Sequence, residues 1–227
     1  MERRLPACLR QLRQATPEAA RSALEAKPEL LPVALNSMLI GVTSFFRDAP
    51  VFDSLEREVL PTLLQSRNGL RTLSIGVSEG QELFSVAMLL AEAGVLANSS
   101  LLGVDCRPDA IQRCKAGLFA EMDMAGISVE RRSRFFEREG AGWRVAAEIA
   151  AATQWRVADL FTFSPPTSDL ILFRNVAIYL EEESMRLVWE KLCCALSPGG
   201  YLITGKAEKP HGSLPLSRVA ASVYQKS

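Results

Sequence analysis

Arg71-Thr-Leu-Ser-Ile-Gly-Val-Ser-Glu-Gly80, followed by the apolar run Gln81 to Ala93, is where the chain first commits to a fold class. The opening residues read as a short β-strand that ends in glycine. Val77-Ser-Glu-Gly80 reads as a turn, and Gln81 to Ala93 as a helix closed by Gly94. Leu101-Leu-Gly-Val-Asp105 repeats the strand pattern with an acid at its carboxyl end, and a helix follows Arg107-Pro108 as far as Lys115. Further strands are predicted at Gln154–Val157, Asp169–Arg174, Tyr201–Thr204 and Ala221–Gln225. Another helix is predicted over Glu181–Leu196, stopped by Ser197-Pro-Gly-Gly200. Strand and helix in alternation predict an α/β protein with a doubly wound, mostly parallel sheet.

Working outward, Ser128 to Ala152 breaks this rhythm and is expected to form an inserted helix and small hairpin, at about residues 128–152. Val51 to Leu64 reads as a helix. Residues 1–35 read as one or two short helices, with Leu5, Leu9 and Leu12 at helical spacing and Arg3, Arg4, Arg10 and Arg13 on the polar side. Thr16-Pro17-Glu18 is a helix start. The division expected is a helical region over residues 1–40 and a main domain over 41–227.

Composition narrows the chemistry. The 227 residues carry 26 basic and 26 acidic side chains, so no net positive charge supports nucleic-acid binding. Only one histidine, His211, is present, so hydrolytic triads and zinc sites must do without a second one, and no metal site is expected. Five cysteines without C-x-x-C spacing fit reduced thiols of a cytoplasmic protein. The most apolar stretch, Ser85 to Ala97, contains Glu92 and is too short to span a bilayer, so no direct membrane insertion is expected.

In open α/β sheets, ligands bind at the carboxyl ends of the strands. Gly76-x-x-x-Gly80 lets the backbone approach a ligand but lacks the G-x-G-x-x-G phosphate fingerprint, which favours a nucleoside without pyrophosphate. Asp105 is placed for ribose hydroxyls, or else as a cap for the helix after it. With the late Pro-Gly-Gly turn, these features suggest an S-adenosylmethionine (AdoMet) methyltransferase sheet.

Thr43-Ser-Phe-Phe-Arg47, Gly80-Gln-Glu82-Leu-Phe-Ser85 and Phe173-Arg-Asn-Val-Ala-Ile-Tyr179 resemble the chemotaxis receptor methyltransferase (CheR) family. The resemblance runs from about Arg3 to the end. It implies a class I methyltransferase sheet, AdoMet as cofactor, and methyl transfer to glutamates on the cytoplasmic helical region of a chemoreceptor, giving glutamyl methyl esters. Such a carboxylate is itself the nucleophile, so no histidine base is needed. Carried over by position, Thr43, Arg47, Gly76, Glu82, Asp105, Arg174 and Asn175 would bind AdoMet, with Asp159 and Leu160 beside the adenine. Arg47 and Tyr179 would orient the acceptor carboxylate. Without the resemblance, Arg47 would be read as an ion pair with Asp48 or Glu56, and Tyr179 as a core aromatic.

The chain also departs from the family pattern. Gly41 stands where asparagine is usual, Gln81 replaces a glutamate, Leu83 a proline and Asp159 an asparagine. These changes and the short amino-terminal region leave a second reading, a catalytically degenerate AdoMet- or receptor-binding module. Only Glu137–Gly142 separates Phe135-Phe136 from Trp143-Arg144-Val145, so no tether to a receptor pentapeptide is expected.

Overall fold

The computed structural model describes residues 4–39, 41 and 43–227. Three helices open it, α1 (Leu5–Leu12), α2 (Pro17–Ala26) and α3 (Leu31–Met38), where the sequence pattern indicated one or two. Thr16 caps α2, its side chain accepting from the amide of Ala19. Cys8, Leu12, Ala20 and Ala34 form a small apolar cluster of their own. Arg3, assigned to the basic helix, lies outside the described residues.

The expected helix at 51–64 is interrupted. It runs as α4 (Ala49–Ser54), a π turn (Leu55–Val59) and α5 (Leu60–Leu64). Pro61 explains the break: proline has no N–H and its ring clashes with the preceding turn, so the chain widens just before it.

From there the alternation holds: β1 (Arg71–Ile75), α6 (Gln81–Glu92), β2 (Ser100–Asp105) and α7 (Pro108–Ala116). Next come β3 (Leu118–Ala120), α8 (Val129–Phe135), β4 (Phe136–Glu139), β5 (Gly142–Val145) and α9 (Ala147–Ala151). The remainder is β6 (Thr153–Val157), β7 (Ser168–Phe173), α10 (Glu182–Ala195), β8 (Leu196–Thr204), β9 (Leu216–Ala220) and β10 (Val223–Lys226).

Seven strands form the main sheet in the order β6-β2-β1-β7-β8-β10-β9. The five from β6 to β8 are parallel, while β10 runs antiparallel to both β8 and β9. Strand order reverses between β1 and β7, which is where a doubly wound sheet opens a crevice at its carboxyl edge. Apolar clusters cover both faces: Phe84, Val86 and Leu90 of α6 belong to one, and Val188, Trp189 and Leu192 of α10 to the other. Every residue of β7 is buried, as a central parallel strand with two covered faces requires.

Two strands escaped the sequence reading. The last strand begins at Val223 rather than Ala221, because Ala221-Ser222 make the turn of a hairpin with β9. The middle residues of β9 are exposed at the sheet edge, so it carries no alternating apolar signal. The inserted hairpin likewise gains a third strand, β3, in the order β3-β5-β4. Trp143 on this small sheet donates to Glu121 and stacks with Arg132 and Arg138. In α10, Cys193 is buried and Cys194 exposed, because only one face of the helix meets the sheet.

Candidate active site

A cavity of about 550 Å³ opens at the carboxyl edge of β1, β2 and β7, a size typical of small-molecule pockets. All ten residues singled out in the sequence line it: Thr43, Arg47, Gly76, Glu82, Asp105, Asp159, Leu160, Arg174, Asn175 and Tyr179. Leu31, Leu35 and Leu39 close it from the α3 side. Their four-residue spacing is a helical signal that was available in the sequence.

The Phe-Phe-Arg stretch is positioned by its rings. Phe45 is buried edge-on against Phe119 and Phe136 of the small sheet, at 4.9 and 5.3 Å between centroids. Phe46 turns the other way, edge-on to Phe52 at 5.4 Å and under the Arg131 guanidinium. Its amide donates to Ser85 Oγ, one turn into α6, at 3.0 Å. Phe46 and Asp48 both hold positive φ, of 50° and 62°, so the turn that carries Arg47 to the cavity is strained on both sides.

Arg174, 5 % exposed, is the clamp of the site. Its Nη1 donates to Glu82 Oε2 at 2.9 Å, and its Nη2 to Asp48 Oδ2 at 2.7 Å and to the Arg47 carbonyl at 3.0 Å. Ser74 Oγ in β1 donates to the other oxygen of Glu82 at 2.9 Å. One side chain thus ties β7, α6 and the Arg47 turn together through charge-assisted bonds. Burial works against ionisation of Asp48, but the bond from Lys206 and the charges of Arg174, Lys206 and Arg47 prevail and lower its pKa. Arg174 Nε is buried with no partner among the described residues, a donor left over on a residue that lines the cavity.

Gly76 permits a close approach: its φ is 71°, and a Cβ there would collide with Val176 Cγ2 in the loop after β7. That loop also holds Asn175 at φ 59°. Glu208, 4 % exposed, fixes it from behind and was missed in the sequence. Its Oε2 accepts from the amides of Asn175 (2.7 Å) and Gly205 (2.8 Å), and its Oε1 from the amide of Ala177 (2.7 Å).

Asp105 accepts from the amides of Ser78 and Arg107 and from the Arg107 guanidinium. Both sequence readings of Asp105 therefore meet here: it lines the cavity, and it bonds the residue that precedes α7. Asp159 bends its own loop, Oδ1 accepting from the amides of Phe161 and Thr162 at 2.8 and 3.2 Å. Cys106 is only partly buried and lines the cavity. Burial and then the Asp105 charge push its thiol up to about 11, so it stays protonated at neutral pH and is a poor methyl acceptor.

The residues present fit a nucleoside cofactor with an amino-acid tail: an acid closing β2, a glycine bend and an unspent buried donor stand around one cavity. Among the described residues, no helix is long and apolar enough to cross a membrane.

Comparison with known proteins agrees with this geometry. The family described as "CheR methyltransferase, SAM binding domain" matches residues 41–219. A chemotaxis protein methyltransferase of Listeria monocytogenes is 31% identical over 182 residues, covering 79% of this chain and 70% of that one. Chemotaxis protein methyltransferase 1 of Pseudomonas aeruginosa is 31% identical over 191 residues, with 79% and 70% covered. Among solved structures, the glycopeptide N-methyltransferase MtfA complexed with S-adenosylhomocysteine superposes with a TM-score of 0.43 at 14% identity, over 83% of this chain and 60% of that one. A likeness so loose adds nothing to the assignment. The family match and the two relatives suffice: the chain belongs to the CheR methyltransferase family and is an AdoMet-dependent methyltransferase.

Proposed function

We propose that this methyltransferase esterifies glutamate side chains on the cytoplasmic helical region of a chemoreceptor-type protein. The observation that carries the reading is the convergence of Arg47 and Tyr179 on the one cavity that also holds Asp105, Glu82 and Arg174. The printed names of the relatives support a chemotaxis role. AdoMet, when bound, supplies an electrophilic methyl group: the O–CH3 bond forms as S–CH3 breaks, and carboxylate and sulfonium both end neutral.

No proton has to move, so the protein's task is to desolvate, orient and hold. The Arg47 guanidinium suits a carboxylate as a fork of donors, and the Tyr179 hydroxyl can fix one of its oxygens. Leu31, Leu35, Leu39 and Ile178 give the cavity an apolar wall, with Leu31 and Ile178 at its exposed mouth. For the cofactor, Asp105 would take the ribose and Asp159 with Leu160 would flank the adenine, while Gly76 would give room. Thr43, Glu82, Arg174 and Asn175 serve the methionyl end, with the spare Nε of Arg174 as a donor there. Glu82 acts on it through Arg174.

Residues 1–40 are taken as a helical region that contributes Leu31, Leu35 and Leu39 to the cavity lining, and 41–227 as the methyltransferase domain. Gly140 and Ala141 alone join β4 to β5, which supports the absence of a pentapeptide tether.

The test is transfer of labelled methyl to an acidic helical receptor fragment, scored as base-labile label. Tyr179→Phe should lower turnover about 10- to 100-fold, the loss of one hydrogen bond made to the reacting group, with S-adenosylhomocysteine affinity within about twofold. Binding of the cofactor without transfer to any carboxylate would leave a degenerate binding module and defeat the proposal.

A further inference from the structure

The acid assigned to the ribose has no hydrogen-bonding capacity left. Asp105 Oδ1 accepts from the backbone amide of Arg107 and from its Nε, both at 3.0 Å. Oδ2 accepts from the amide of Ser78 at 2.9 Å and from Arg107 Nη2 at 3.3 Å. A carboxylate offers about four lone-pair directions, and all four are in use, two of them by one side chain. Glu82 differs: each of its oxygens takes a single bond.

The guanidinium reaches this position through a gap in the opposite wall. A Cβ on Gly41 would stand 2.6 Å from Arg107 Nη1 and 3.2 Å from Ser78 Oγ. Ser78 Oγ also donates to the Gly41 carbonyl at 3.0 Å, which pins the Gly41 backbone against the site. The lack of a side chain at Gly41 matters here for space. The Arg107 side chain is only 12% exposed and lines the same cavity.

We propose that Arg107 is a latch that competes with the cofactor's ribose hydroxyls for Asp105, and that Gly41 supplies the room in which the latch closes. The inference rests on the AdoMet reading of the cavity. When the guanidinium withdraws, the two backbone amides remain bonded and keep the carboxylate in place. Two acceptor directions are then open, one for each hydroxyl of a ribose diol. The exchange sets two neutral donors against a charged fork, so the latch weakens binding without abolishing it. The charge of Glu79, which is paired with Arg113, already acts on Arg107 and would draw the released guanidinium. A latch of this kind ties affinity to the fraction of molecules in which it stands open. A larger residue at position 41 would crowd Nη1 in the closed arrangement and push the guanidinium from its place.

Calorimetric titration with S-adenosylhomocysteine tests the latch on the full chain, Arg107→Ala, Arg107→Met, Gly41→Ala and the Gly41→Ala/Arg107→Ala pair. A latch closed in about nine molecules of ten gives about tenfold tighter binding when it is removed. Arg107→Met keeps the packed stem and should tighten binding as well, should Arg107→Ala fold poorly. Gly41→Ala should tighten binding in the wild-type background by collision with Nη1, and change nothing once Arg107 is gone, a non-additive cycle. Unchanged or weaker binding by both Arg107 variants, with the wild type binding normally, overturns the latch alone. Gly41→Ala weakening binding in both backgrounds overturns the role of Gly41. No binding by any of the proteins overturns the cofactor reading, and the latch with it.

Discussion

Strand β7 carries an arginine–carboxylate cluster at each end, and the two are built to different standards. At its start, both oxygens of Asp169 are occupied: Arg71 donates from its amide, Nε and Nη2 at 2.8–3.1 Å, and Ser197 Oγ donates at 2.7 Å. Arg67 stands 3.4 Å away. Just past its finish, Arg174 grips two carboxylates and a carbonyl yet keeps a buried Nε without a partner among the described residues. Six non-glycine residues with positive φ are described, and four of them (Phe46, Asp48, Ser78 and Asn175) belong to this second end. One cluster is saturated and unstrained, and it serves to join β1, β7 and β8. The other is strained and incomplete, and it opens on a cavity. Strain and unspent donors persist where the surroundings over-determine them, and they mark the end at which a ligand completes the structure.

Removing Arg174 is the strongest way to break this contrast. Arg174→Ala leaves Glu82 without its cation and the Arg47 turn untied, at a cost of about 3–5 kcal/mol expected for one partner of a buried pair. Denaturant unfolding should show that loss. Arg174→Lys keeps the charge but not the fork, so it separates folding from binding. It should fold with a smaller loss and bind S-adenosylhomocysteine at least about tenfold more weakly, the worth of one hydrogen bond to a charged group. Wild-type affinity in Arg174→Lys would remove Arg174 from the site.

Glu208 sharpens the same contrast, since it acts on the cavity without lining it. In Glu208→Gln one acceptor oxygen becomes an NH2 group that faces a backbone N–H, which frees part of the loop carrying Asn175. A loss of about 2 kcal/mol is expected for bonds of this kind. The discriminating readout is affinity for S-adenosylhomocysteine, which should fall about tenfold while the melting temperature drops by only a few degrees. An equal drop in melting temperature with unchanged affinity would make Glu208 purely structural.

How much of this was legible in the sequence follows from the range of the forces involved. β1, its glycine bend and α6 were readable because a glycine that must hold positive φ, and an apolar helix face, are local requirements. Asp105 stood out because chemistry at strand ends has a fixed address in this fold, and Arg47, Arg174, Asn175 and Tyr179 because of the motifs around them. Glu208 had no such mark: its partner Asn175 is 33 residues away, and only the return of the chain after β8 makes them neighbours. The Arg107 side chain was equally silent, because its place depends on Gly41 across the crevice. β9 was invisible for the opposite reason, since an exposed edge strand has no face to bury. The sequence could show which residues carry chemistry, but not whether a given acceptor was already in use.

The smallest effect is expected at the other end of β7. Burial tends to raise the Asp169 pKa, but the Arg71 side-chain and backbone bonds and the Ser197 hydroxyl hold it down to about 2, from an ordinary 3.8. A carboxyl depressed on folding contributes stability that is fully present above its unfolded pKa and is lost as pH falls through the folded one. The shift is worth on the order of 2 kcal/mol. Asp169→Asn should therefore be less stable than the wild type by about that amount at pH 7, and the gap should narrow below about pH 4 and close towards pH 2. Urea midpoints across that range measure it. Because the cluster is closed on itself, the substitution should leave S-adenosylhomocysteine affinity within about twofold, that of a site on which it does not bear. A large loss of affinity would mean that strain passes along β7 from one end to the other, and the saturated cluster would then be a support of the site and not merely of the sheet.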